Sequence, residues 1–179
     1  MLSLTGAKME NGFNLDEFEE IAIKKGAADA KLIKADQVKV ADWVYWKCRY
    51  GCVSYGKTLT CPPHSPTPDQ TRKLLEGYDH ALLLKYDSTE DYQRLLAELE
   101  KEAFLRGIYS AWGLSSGACR LCEDCTNNPS GCRHPGIARP AMEACGIDVF
   151  ATALEAGWDL RVKTSKDDSF HRICMILLA

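Results

Sequence analysis

Gly117-Ala118-Cys119-Arg120-Leu121-Cys122-Glu123-Asp124-Cys125 spaces three cysteines as Cys-x-x-Cys-x-x-Cys. A single loop wrapped round a centre can then present three thiolates to one inorganic core, which is what a cubane iron–sulfur cluster requires. A structural zinc ion is smaller and usually takes a pair of cysteines from each of two facing turns. Three overlapping cysteines fit that plan poorly, so the stretch reads as a loop for a 4Fe-4S cluster, with zinc as the alternative.

Working outward, a fourth cysteine follows in Ser130-Gly131-Cys132-Arg133-His134-Pro135, where Gly131 permits close backbone approach and Pro135 ends any regular element. In two-cluster ferredoxins the fourth cysteine crosses to the other cluster, so Cys132 closes either its own site or a neighbouring one. A neighbour is available. Cys48-Arg49-Tyr50-Gly51-Cys52, then Tyr55-Gly56-Lys57, then Cys61-Pro62-Pro63 offer three more thiolates on a turn-rich segment. Eight residues separate Cys52 from Cys61, which is not the spacing of radical enzymes that use S-adenosylmethionine. Buried reduced thiols are the plain alternative, but the polar, glycine-rich surroundings favour ligation and a second centre.

Two complete cubanes need eight thiolates, and the two groups supply seven of the nine cysteines. Cys145 beside Gly146 is the candidate for the eighth, although a helix end disfavours a thiolate there. Cys174, in the apolar run Ile173-Cys174-Met175-Ile176, reads as a core residue. His64 and His134 each follow a cysteine closely and are secondary ligand candidates, more plainly read as loop histidines. No serine, histidine and carboxylate set and no phosphate-cradling glycine loop identifies a catalytic residue. Lys47, Arg49, Lys57, Arg120, Arg133 and Arg139 crowd the cysteines; they are either solvated surface charge, an offset to thiolate charge, or a docking rim.

The combination of Cys48, Cys52, Tyr55-Gly56-Lys57, Cys61-Pro62-Pro63, the run from Gly117 to Cys132 with Pro135, and Arg139-Pro140-Ala141-Met142-Glu143-Ala144 leading to Gly146-Ile147-Asp148-Val149 resembles a family of small, cysteine-rich predicted metal-binding proteins of anaerobic bacteria and archaea. The resemblance spans most of the chain. It implies a cytoplasmic metal-binding, iron–sulfur protein, and neither a reaction nor a partner. Ala141 stands where relatives are expected to carry serine, a departure that touches no ligand.

The 179 residues divide at no linker or repeat, so a single domain over 1–179 is expected. A net charge of −3 gives no electrostatic reason to expect nucleic acid or an anionic membrane. Met1 to Gly6 lacks a leader pattern, and the apolar stretch Ile173 to Ala179 is far too short to span a bilayer. The cytoplasm is the expected compartment, and a reducing cytosol leaves thiolates free for metal rather than disulfides.

Helical spacing of Leu15, Phe18, Ile21 and Ala22 predicts a helix over 14–25 stopped by Gly26, and residues 30–35 read as a strand. Residues 38–46 are ambiguous; Trp43, Val44, Tyr45 and Trp46 form an apolar wall expected to pack in the core. Further elements follow as a helix over 69–76, a strand over 80–86, a helix over 91–106 and a strand over 108–112. Beyond the cysteines come helical segments near 140–144 and 148–156 and a last strand over 170–178. The fold expected is α+β, or α/β, a small sandwich of a mixed sheet and helices with two cysteine-rich metal-binding loops on one side. Its leading function is an iron–sulfur redox protein with one or two 4Fe-4S clusters serving a redox partner protein. The alternatives are an interaction module stabilised by zinc or a cluster, and an enzyme with an open-coordination cluster.

Overall fold

The computed structural model describes residues 14–87, 91–165 and 170–178, and the expectations resting on Met1 to Gly6 and on Ala179 lie outside them. Helix α1 (Glu17–Lys24) turns Phe18 and Ala22 inward and leads into β1 (Asp29–Lys34). Helices α2 (Asp42–Gly51) and α3 (Pro68–Leu75) precede β2 (His80–Asp87) and the long α4 (Tyr92–Leu105). A short β3 (Trp112–Leu114) delivers the chain into the cysteine insertion, after which α5 (Val149–Glu155) and β4 (His171–Leu178) complete the fold. The class is α+β.

The strands lie in the order β1-β2-β4-β3, and every pairing is antiparallel. The mixed sheet expected from the sequence is corrected on this point. Ala81-Leu82-Leu83-Leu84 in β2 and Ile173 to Leu178 in β4 are unbroken apolar runs because both faces of these central strands are covered. Leu82, Leu84, Cys174 and Ile176 face one core with Phe18 of α1 and Leu96 and Leu99 of α4. Ala81, Leu83, Ile173, Met175 and Leu177 face the other, with Met142, Cys145, Ile147, Ala153 and Trp158. Cys174 is thus a core residue, as its neighbours in sequence indicate.

Two expected elements differ. Ile108 to Ala111 is not strand, because Gly107 takes a left-handed conformation (φ +94) at the end of α4 and Ile108 N–H returns to the Ala103 carbonyl at 3.0 Å. That bond is a helix-stop motif in which the residue after the glycine is drawn into the core, and Ile108 is buried there. The strand begins only at Trp112. The aromatic wall is a helix, and its expected packing is overturned. Successive residues of a helix point in different directions, so α2 buries Val44 and leaves Trp43 46% and Trp46 61% exposed. Among the described residues no helix is long and apolar enough to cross a membrane.

The expected helical segment near 140–144 is one short turn, Glu143–Cys145, stopped by Gly146 in the left-handed region (φ +78). A β-carbon at Gly146 would lie 2.8 Å from the Pro68 ring, at the start of α3. Gly146→Ala should therefore lower stability by at least about 1–3 kcal/mol, read as a reduced urea midpoint. Gly136→Ala, whose methyl meets nothing within 4 Å, should stay within about 0.5 kcal/mol of the parent.

Candidate metal centre

The insertion between β3 and α5 is closed at its base before any cysteine is reached. Ser115 N–H donates to the Pro140 carbonyl at 2.7 Å and Met142 N–H to the Ser115 carbonyl at 2.8 Å, so the chain leaves and returns through one parallel bridge. Glu100 of α4 clamps the same base. Its carboxylate accepts from Gly113 N–H at 2.6 Å and from Arg139 Nε at 2.8 Å, and both side chains of this ion pair are largely buried. Gly113 makes room for it, since a β-carbon there would come within 2.7 Å of the Glu100 oxygen.

The first residues of the insertion are held from below. The Tyr92 hydroxyl donates to the Ser116 carbonyl at 2.9 Å, and Arg120 N–H donates to the Gln93 side-chain oxygen at 3.2 Å, both from the first turn of α4. Gly117, left-handed at φ +63, donates its N–H to Glu143 Oε2 at 3.4 Å and passes close to the Arg172 guanidinium. Glu143 is a site residue to which the sequence pattern assigned no role. Burial pushes its carboxyl above the usual carboxylate range, with backbone hydrogen bonds and Arg172 opposing the shift. Gln93 and Glu100 were likewise hidden, since they lie at least 19 residues before Cys119 and belong to no cysteine motif.

Above this base, Cys119, Cys122, Cys125 and Cys132 line one cavity of about 340 Å³. Its opposite wall is Lys57 to Thr60 of the other cysteine segment, tied across by Asn127 Nδ2 donating to the Gly56 carbonyl at 2.9 Å. Arg133 donates to the Asp124 carbonyl at 2.8 Å and draws the far side of the loop closed. His134 lines this cavity, whereas His64 is exposed on the turn after Cys61. All four thiols are half-buried, which shields a centre while leaving the loop open to loading.

The first group arrives by a different route. Cys48 lies in the last turn of α2, Cys52 caps the helix, and Cys61 is buried beyond a series of turns. Cys48 Sγ donates to the Glu143 carbonyl at 3.9 Å. Burial pushes the Cys48 thiol up to about 11, and Cys52, Glu143 and Cys61 add to the shift. Burial also raises the Cys61 thiol, against hydrogen bonding by Thr58, and both Cys52 and Cys119 are close enough to contribute. Cys61 and Cys119 therefore bring the two groups within electrostatic reach of each other. Cys145 is 1% exposed in the core, with its thiol pushed up to about 12 by burial, against hydrogen bonding by Thr71 and with Glu143 and Cys48 adding to the shift. Thr71 and Ser65 occupy the carbonyls of Cys145 and Ala144 at 2.8 Å each, fixing that turn behind Cys48.

Among the described residues no three His, Cys, Asp or Glu side chains are drawn together closely enough to hold a single metal ion. A zinc ion needs its sulfurs about 2.3 Å from one point. A cubane instead places each thiolate on a separate iron of a larger core. Four cysteines spread round one cavity are a donor set that a 4Fe-4S cluster would fit.

A family model described as "Predicted metal-binding protein (DUF2284)" matches residues 31–178. No curated protein and no solved structure matches the chain.

Two outcomes follow from the geometry. Arg139→Met, which strands the buried Glu100 carboxylate, should cost about 3–5 kcal/mol in denaturant titration. Cys122→Ala should lower the metal bound per chain in elemental analysis, while Cys174→Ala, buried in β4, should leave it unchanged.

Proposed function

We propose, from the premise that the chain belongs to the DUF2284 family of predicted metal-binding proteins, that it is an iron–sulfur redox protein. The observation that carries this reading is the single cavity lined by Cys119, Cys122, Cys125 and Cys132. A bound 4Fe-4S cluster supplies reversible one-electron transfer. The chain's own residues hold it there: four thiolates ligate, the clamp at Glu100 and Arg139 keeps the two ends of the insertion together, and Lys57 and Arg120 on the cavity wall offset thiolate charge.

Cys48, Cys52 and Cys61, with Cys145 as the eighth thiolate, hold a second cluster in this reading. The support is that Cys48 Sγ donates to the Glu143 carbonyl, two residues before Cys145, on the turn whose carbonyls Ser65 and Thr71 hold. A cluster held there would supply a second one-electron centre in the same chain. An acidic redox partner protein docks beside Arg120 and Arg133, in the reducing environment of the cytoplasm, with an association rate that falls as salt rises.

Protein made and purified without oxygen should be brown, with iron and acid-labile sulfide in near-equal amounts sufficient for one or two clusters per chain. Electron paramagnetic resonance of the dithionite-reduced protein should show a 4Fe-4S signal at low potential, because four thiolates make the oxidised cluster anionic and disfavour an added electron. A colourless anaerobic preparation carrying stoichiometric zinc sinks the proposal. So does a cluster that strong reductants leave unreduced.

A further inference from the structure

The buried side-chain atoms without a hydrogen-bond partner among the described residues include Tyr86 Oη, Gln93 Nε2, Ser115 Oγ and Arg172 Nε, all close to the base of the insertion. Three of these have other company. Ser115 and Tyr86 lie beside the Cys174 thiol, and the Arg172 guanidinium stacks on the rings of Tyr92 and Phe170. Gln93 Nε2 has none of that.

Gln93 is 5% exposed on the first turn of α4. Its Oε1 accepts from Arg120 N–H, and a backbone N–H can only donate, so the orientation of the amide is settled. Nε2 shares a carbon with that oxygen, so it too lies near the Cys119–Arg120 peptide, carrying two protons and, among the described residues, no acceptor. Buried donors without acceptors are uncommon because each forfeits its hydration for nothing. Cys119 and Arg120 both line the cavity, and the sulfurs of a cluster are acceptors whose charge grows on reduction.

We propose that Gln93 is a positioning residue of the metal centre: Oε1 fixes the Cys119–Arg120 peptide, and Nε2 donates to a sulfur of the bound cluster and raises its reduction potential. The inference rests on the iron–sulfur reading above. It assigns to α4 a role in setting the potential of the Cys119 loop as well as in carrying its clamp.

The test uses full-length holoprotein prepared without oxygen, with glutamine amides labelled with heavy nitrogen. Iron and sulfide are assayed first, then the midpoint potential and the nitrogen hyperfine coupling of the reduced cluster. Wild-type protein should show a coupling to a glutamine amide that Gln93→Met abolishes. At unchanged iron and sulfide, Gln93→Met should shift the reduction equilibrium about tenfold toward the oxidised state, about 59 mV for one electron. If Gln93→Met loses iron, Gln93→Glu, which keeps the acceptor for Arg120 N–H and lacks the donor, takes its place, and a retained wild-type coupling in that variant overturns the proposal. Wild-type protein that holds clusters yet shows no glutamine coupling also overturns it. Wild-type protein without iron and sulfide overturns the iron–sulfur reading beneath it, and the elemental analysis tells the two failures apart.

Discussion

The carboxylate of Glu100 is the constraint on which the rest of the cysteine architecture depends. One side chain on α4 accepts from Gly113, just before the insertion, and from Arg139, beside the bridge that closes it. Closing a long loop costs chain entropy, and a loop of this length with only a short 3₁₀ turn of its own needs outside support. Glu100, the Ser115–Ala141 bridge and the Tyr92 and Gln93 contacts supply it at the base. The tip, where the thiols lie, has few apolar side chains to order it, and ligation is the natural source of the remaining stability. Here metal and fold share the work: the sheet and α4 hold the two ends, and a bound centre would hold the middle.

The same division explains the burial pattern around the thiols. Cysteines fully enclosed by the sheet or the turn behind it, Cys174 and Cys145, have thiols that burial raises strongly. Of the others, Cys61 is buried, Cys52 is exposed, and Cys48, Cys119, Cys122, Cys125 and Cys132 are half-buried. Glu143 lies between the populations, its backbone carbonyl accepting from Cys48 and its carboxylate accepting from Gly117. A turn three residues long thereby touches both cysteine groups, which is why the glycine that ends it and the threonine and serine that satisfy its carbonyls matter to the centre.

α2 carries Cys48 inward and a row of aromatics outward, with Lys47 over Trp43 and Arg49 over Tyr50. Hydrophobicity alone predicts that such a row is core. Helical geometry decides otherwise, since Cys48 lies one turn beyond Val44 and the two share the inner face. The misplaced strand at Ile108 has a related cause: an apolar residue after a glycine stop is buried by the helix that it ends, with no sheet involved.

The sequence by itself determined the local features. Helices α1, α3 and α4 and strands β1, β2 and β4 were legible within a few residues, because apolar periodicity and glycine or proline stops are written in neighbouring positions. The two cysteine groups were legible for the same reason, as was the assignment of Cys174 to an apolar strand. What only the tertiary structure decided is everything that joins distant positions. That the sheet is antiparallel throughout, that Glu100 closes an insertion beginning at Ser115, that Gln93 reaches Arg120 and that Cys61 approaches Cys119 all follow from how the layers pack. A spacing motif records which residues can meet along one loop; which helix lies beneath that loop is set by burial of both sheet faces, and no local pattern encodes it.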